Sequence, residues 1–337
     1  MKVSTVLLLL SVVLLMLFAA NLYFGAVDIP AEVVSRLLLG GEVERPAWRY
    51  ILFENRLPQS LTAIFSGAGL AASGLLLQTV FRNPLAGPSI LGVDGGANLG
   101  VAVAMLLLGG SFVAGSFSLS GFVLVIVAAF LGAWAVMVVL LLFSRLLRSN
   151  TMLLIAGVMI GYLTSSLIAL LNYGATEEGV RSLMVWGLGS FANVTVDRLP
   201  LFCLTMGGGL LGALLLIKPL NALLLGEHYA SNLGIHVQRV RTLLLCVAGL
   251  LTATSTAFCG PVAFVGLAVP HVARLLLGTA DHRTLLPATL LTGACLALFC
   301  SFLSTLPSSM VIPINVITPV LGAPVVIWVI LKNKLDN

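Results

Sequence analysis

Charge is what this chain has least of. Only 9% of its 337 residues are Asp, Glu, Lys or Arg, against about 25% in a soluble domain. With 59% hydrophobic residues and a mean hydropathy of +1.13, the composition is that of a polytopic membrane protein. Motifs for chemistry are missing too. No G-x-x-x-x-G-K-[ST] occurs, so the chain carries no nucleotide-binding loop of its own. There is no H-E-x-x-H, no clustered Cys/His set and no paired carboxylates, so neither a metal centre nor catalytic residues are expected. His228, His236, His271 and His282 are dispersed. The five cysteines lie in apolar segments without a CxxC pair and read as small core residues. No span carries a run of Asp, Glu or Lys, which removes the usual marks of an ion-coupled carrier. That carrier is the alternative reading, and a titratable residue within a span is its discriminator.

What is present is apolar and periodic. Ten candidate helices follow, at roughly 4–24, 57–80, 89–108, 119–143, 152–173, 198–217, 241–258, 261–278, 285–304 and 313–332. The first, behind Lys2, is long enough to span and reads as a retained helix rather than a signal peptide. Segments 27–54 and 174–197 are too polar to cross and are long enough for short surface helices. With the N-terminus inside, eleven of the 17 Lys and Arg residues fall on the inner side and six on the outer. That bias places both termini in the cytoplasm. The formal charge of +5 sits beside spans and argues for lipid-facing topology, not nucleic acid.

One stretch organises the rest. From Arg56 to Gly96 a long apolar run breaks at Arg82-Asn83-Pro84 and resumes after Pro88. Its Ser66, Gly67, Gly69, Ala71, Ala72, Ser73 and Gly74 suit close helix packing. Asp94 opens the next helix, where a carboxylate is favoured as a structural cap. In the fifth helix, Gly157, Gly161 and Ser165 recur at helical spacing. They read either as packing inside one subunit or as a subunit interface beside a central path. Segment 218–241 is too long and polar for a simple turn. Leu220, Leu223, Leu224 and Leu225 give it an apolar side, and Gly226, Ala230 and Gly234 recur every four residues. Such a segment either seats in the groove of a soluble partner or lies on the membrane. Pro270, Pro319 and Pro324 interrupt later spans.

The pieces RLPQ (56–59), SGLLLQTVFRNPLAGPSILGVDGGA (73–97), WGLGSF (186–191), LGEHYASNLGI (225–235), GPVAFVGLAVPHVARLLLGTADHRTLLP (260–287) and IPINVITPVLGAP (312–324) occur in this order. Together they resemble the FecCD family, the permease subunits of type II ABC importers for iron chelates, haem and vitamin B12. The resemblance covers the chain from Arg56 onward. It implies an all-α polytopic fold of about ten transmembrane helices, forming a single permease domain over 1–337 in a bacterial or archaeal cell membrane. The implied partners are a second copy of the chain, a cytoplasmic ABC ATPase dimer that holds ATP-Mg, and an extracytoplasmic substrate-binding protein. The chain itself would bind no cofactor.

The resemblance also implies roles. Arg56 would dock the binding protein through a carboxylate. Asn83, Leu85, Ser149, Asn150 and Thr151 would form the cytoplasmic gate. Segment 218–236, with Gly226, Glu227, Ala230, Leu233 and Gly234, would couple to the ATPase. The fifth helix, with Gly157, Gly161 and Ser165, would lie near the pathway and dimer axis. An iron–siderophore is the first expected cargo, with haem and cobalamin close behind. Two positions depart from the family. Gln59 stands where a second basic residue is frequent, and Val311-Ile312-Pro313-Ile314-Asn315 replaces Glu-Leu-Pro-x-Gly. Arg45, Arg49 and Arg198 are substitutes for the missing docking charge.

Overall fold

The computed structural model describes residues 3–43, 45–109, 111–114, 117–147, 149–306 and 310–335. Helix α1 (Val3–Tyr23) is followed by two short helices, α2 (Ala31–Leu38) and α3 (Pro46–Tyr50), as the polarity of 27–54 predicts. A π-helical turn, Ile51–Arg56, then leads into α4 (Leu57–Phe81). There Leu57 N–H donates to Leu52 O, five residues back. Pro58 has no N–H to offer, which favours a widened ladder at this point. After a turn come α5 (Val93–Ala102), a second π segment (Val103–Leu107) and a hairpin of β1 (Ser111–Ala114) with β2 (Phe117–Ser120). This antiparallel pair is a small exception to the all-α expectation. The chain continues through α6 (Gly121–Leu146), α7 (Asn150–Tyr173), α8 (Glu177–Gly187), α9 (Leu199–Leu215), α10 (Ile217–Leu224) and α11 (Glu227–Asn232). It closes with α12 (Val237–Cys259), α13 (Val265–Leu277), α14 (His282–Thr305) and α15 (Ile314–Leu335).

Ten candidate helices were expected. Among the described residues, six helices are long and apolar enough to cross a membrane, or seven if α9 and α10, bent by 49°, count as one. The third and eighth candidates are shorter apolar helices, Val93–Leu107 and Val265–Leu277, while the tenth is α15, whose apolar stretch among the described residues is Ile314–Trp328. The reason is local. Pro84 and Pro88 keep 83–92 in turns, so α5 starts at Val93 rather than 89. Phe264 takes a left-handed φ of 66° before α13, which delays that helix to Val265.

Helix α4 is the axis of the bundle, buried at every position from Ser66 to Phe81. It packs against α14, α12, α13 and α9, and α1 lies outside on α14. The closest crossings are glycine on glycine. A Cβ on Gly67 or Gly293 would overlap the other's carbonyl, and one on Gly74 would overlap that of Gly266. Small residues let the backbones touch, which is the main source of packing energy where lipid supplies no hydrophobic contrast. Ser66 pairs with Ser255, and Ser73 with Thr252 (2.8 Å) and Ala248 O (3.0 Å). These contacts show that α4 and α12 run antiparallel. Helix α1 keeps Leu8, Leu15 and Met16 exposed, as a lipid-facing helix should.

Gly293→Leu is expected to lower stability by about 1–3 kcal/mol through overpacking at the α4–α14 crossing. Gly207→Ala, on an open face of α9, should leave it within ~0.5 kcal/mol. Thermal unfolding of both variants in detergent checks the pair.

Candidate functional site

The polar groups of this bundle gather at the two ends of α4. At its N-terminal end the Arg56 side chain is turned inward. The residue is 6% exposed. Its guanidinium donates to Leu22 O (2.8 Å), Tyr23 O (3.0 Å) and Val27 O. These carbonyls belong to the end of α1 and the turn after it, and such orphan groups need donors. Arg56 is thus a cap for another helix rather than an outward fork, and docking a partner through it would require breaking these bonds. Exposed cations on this side include Arg36, Arg181, Arg45 and Arg49, the last two stacked on Trp48 (5.1 Å) and Phe53 (5.8 Å). Gln59 turns inward, its Nε2 3.3 Å from Ser301 Oγ on α14.

The second departure is also taken up internally. Asn315 Nδ2 donates to Gly187 O (3.3 Å), and its Oδ1 accepts from Ala263 N (3.2 Å). Asn315 N donates to Leu188 O, and Ser190 N to Cys259 O. The WGLGSF stretch is therefore the junction of α8, α12, α13 and α15 rather than a free outer loop.

At the other end, α4 stops at Arg82, which takes φ 46°. Arg82 N and Asn83 N return to Thr79 O and Gln78 O, a helix-ending pattern usually reserved for glycine. Asn83 Oδ1 accepts from Leu85 N (2.9 Å) and closes the turn. Pro84 O accepts from His271 Nε2 (2.8 Å) on α13. Gln78 bridges Arg274 Nη1 (2.9 Å) and Leu267 O (3.2 Å). Gln78, Thr79, Arg82, Asn83, Pro84 and Arg274 line, with Leu223–Gly226, a cleft of about 410 Å³. Ser149 caps α7, accepting from Met152 N, and Thr151 is exposed. The side chain of Asn150 lies outside the described residues.

Segment 218–236 folds as α10 and α11, and its small residues do not form one face. Ala230 is fully buried, and its carbonyl accepts from Ile235 N. Gly226 (φ 118°) and Gly234 (φ 81°) instead allow the turns that begin and end α11. Glu227 is paired with Arg241 at 2.7 Å. The segment's exposed large apolar residues are Leu224, Leu225, Tyr229 and Leu233. At the start of α14, the exposed Asp281 carboxyl is held below the usual carboxylate range by Arg283 N–H and the Asn221 amide.

Along α7 the two open readings separate. Gly157 and Gly161 pack against Leu91 and Gly92 of the same chain. The other side exposes Ile155, Met159, Tyr162, Ser165 and Ser166. Asp94 does not cap α5; its oxygens accept from Ser89 (2.6 Å) and Thr256 (2.8 Å). Thr256 adjoins Ser255, the partner of Ser66, so Asp94 sits partway along α4 rather than at its end. Sequence reasoning missed Asn221, His271, His282 and Arg274, whose partners are too distant in sequence to leave a local pattern. Among the described residues no three His, Cys, Asp or Glu side chains gather as a metal site.

An apolar helical bundle with polar clusters at both ends of its central helix is the architecture of a polytopic membrane protein. The chain belongs to the FecCD transport family, which matches residues 13–332, and is a permease of the ABC-importer type. It is 38% identical over 284 residues to the vitamin B12 import system permease protein BtuC of Klebsiella pneumoniae subsp. pneumoniae, covering 84% of this chain and 83% of that one. The BtuC of Salmonella typhi is 38% identical over 287 residues, 84% of each chain. A metal-chelate type ABC transporter solved in an inward-facing conformation superposes with a TM-score of 0.84 at 32% identity, over 98% of this chain and 99% of that one.

Arg56→Met is expected to destabilise the protein by roughly 2–4 kcal/mol, because buried carbonyls lose a charged donor. Arg49→Glu, at an exposed position, should leave the thermal midpoint nearly unchanged. Parallel melting curves of the purified variants compare the two.

Proposed function

We propose that two copies of this chain enclose the pathway of an importer that carries a corrinoid into the cytoplasm, driven by a separate ATPase dimer that holds ATP-Mg. The observation that supports the cargo is the identity with vitamin B12 permeases across 84% of the chain. An iron–siderophore came first from the sequence alone; these relatives move the corrinoid ahead of it, with haem in the same class.

The six long spans, the bent α9–α10 pair, the two shorter apolar helices and α15 together supply ten crossings. Lys and Arg bias then puts both termini, and the C-terminal end of α4, in the cytoplasm. On this reading Asn83 and Leu85 gate the inner mouth together with Ser149, Asn150 and Thr151. Leu225, Tyr229 and Leu233 meet the ATPase, in the manner of a short helix seated in a partner's groove. The open face of α7, including Ser165, meets the second copy, because an apolar stripe interrupted by hydroxyls suits a wall shared between lipid-shielded subunits. Arg45 and Arg49 steer the binding protein's carboxylates, a contribution to association rate more than to affinity.

Vesicles holding the chain, its ATPase and its binding protein should take up cyanocobalamin only with ATP, and a ferric siderophore more slowly. Uptake that persists without the ATPase would favour the ion-coupled carrier and overturn this reading. Gly226→Val and Gly234→Val, at backbone angles a β-branched residue resists, should raise severalfold the ATP hydrolysed per cobalamin carried. Unaltered stoichiometry in both variants would remove the coupling role from α11.

A further inference from the structure

One side chain on α10 joins three groups at the start of α14. Asn221 Oδ1 accepts from His282 N (2.8 Å) and from His282 Nδ1 (2.9 Å), while its Nδ2 donates to Asp281 Oδ1 (2.6 Å). The orientation of the amide is forced, because a backbone N–H faces one end and a carboxylate the other. His282 is 1% exposed, and its Nε2 lies 3.0 Å from Thr79 Oγ1 in the last turn of α4. Three residues later Arg82 reaches back to α10, donating to Leu223 O at 3.3 Å. Helix α10 therefore holds the end of α4 by two routes, one direct and one through Asn221, His282 and Thr79. On its other side the same turn is held to α13 through Gln78, and the following turn through Pro84 O and His271.

We propose that Asn221 is the positioning residue that transmits movement of the ATPase-docking segment to the gate turn at 82–85, an inference that rests on the coupling reading of 218–236. Helix α10 has eight residues, too few to hold its own geometry in isolation. Its place relative to α4 is set by these bonds and by the burial of Leu220 and Leu223 in the core. When α10 and α11 shift against a partner, the amide drags the start of α14 and, through the buried imidazole, Thr79. A displaced Thr79 moves Arg82 and Asn83, and with them the turn closed by Leu85. Without the amide, only the 3.3 Å bond from Arg82 to Leu223 O still ties α10 to α4, so most of a shift of α10 leaves α4 where its glycine contacts hold it. Coupling of this kind needs an element whose position both sites bias, and the last turn of α4 is bonded to both.

The test uses the complex of the full chain with its ATPase, in a background whose native cysteines are replaced. Leu85→Cys reports the gate through its rate of maleimide labelling. Leu233→Cys reports ATPase contact through cross-linking. With Asn221 intact, ATP plus vanadate should change the Leu85→Cys labelling rate about tenfold, a typical size for a coupling effect. Asn221→Leu should keep the Leu233→Cys cross-link and reduce that change to less than about twofold. Thr79→Val, at the far end of the relay, should reduce it as well. The exchange Asn221→Asp with Asp281→Asn keeps an acceptor toward His282 and a donor–acceptor pair between α10 and α14, so it should restore the ATP response. A loss of packing alone would not be rescued this way. A full ATP response in both Asn221→Leu and Thr79→Val, with the cross-link present, would overturn the role of Asn221 alone. Failure of the exchange to restore the response would also overturn it. Absence of the Leu233→Cys cross-link with Asn221 intact would overturn the coupling reading and this inference together.

Discussion

Backbone touching backbone at α4 is the constraint on which the other elements depend. In a bilayer, apolar side chains gain little by leaving lipid for protein, so helices associate where their surfaces fit closely. Gly67 against Gly293 and Gly74 against Gly266 bring α14 and α13 to the shortest possible separation from α4. With both neighbours fixed at two levels, α4 can neither slide nor rotate freely. The groups at its two ends then inherit defined positions: Arg56 below the end of α1, and Gln78, Thr79 and Arg82 between α10 and α13. Bulkier residues along this helix would separate those ends from their partners without touching either.

The second theme is the internal use of polar side chains. A membrane offers no water to satisfy a carbonyl or amide at depth. Arg56, Gln59, Asn315 and Asp94 each point toward another part of the same chain. The two family departures, Gln59 and Asn315, fit this logic: each forms a bond to a helix or loop that a cation or glycine would not form in the same way. Charge available to a partner is left to positions outside the packed bundle, such as Arg45 and Arg49.

Much of this was legible before any coordinates. The apolar runs located every long helix, the small residues of 66–74 marked the most buried one, and the order of motifs named the family. The polarity of 27–54 and 174–197 gave the surface helices α2, α3 and α8. What escaped had physical reasons. An apolar run does not reveal where a left-handed residue such as Phe264 interrupts it, so α13 is shorter than its run. Pairings such as Pro84 with His271 or Thr79 with His282 join residues 187 and 203 positions apart, and no local periodicity encodes them. Arg56 stands just before α4 in sequence and structure alike, but no local pattern shows that the end of α1 lies against it. Gly226, Ala230 and Gly234 suggested one small-residue face, whereas two of them set turns and the third is buried.

The π-helical turn at Ile51–Arg56 has a consequence for how the outer surface is oriented. Helical structure is continuous from Pro46 to Phe81, a 36-residue rod, roughly 50 Å long at the usual rise. Each residue of an α-helix turns the chain by about 100°, and a π turn takes in one residue more than an α turn. The turn at 51–56 therefore acts as a phase shifter between two segments of one rod. It fixes the compass bearing of Arg45 and Arg49 independently of the buried face of α4. A single-residue change of length within it would swing the cationic surface around the rod by more than a quarter turn, while the glycine crossings stayed in register.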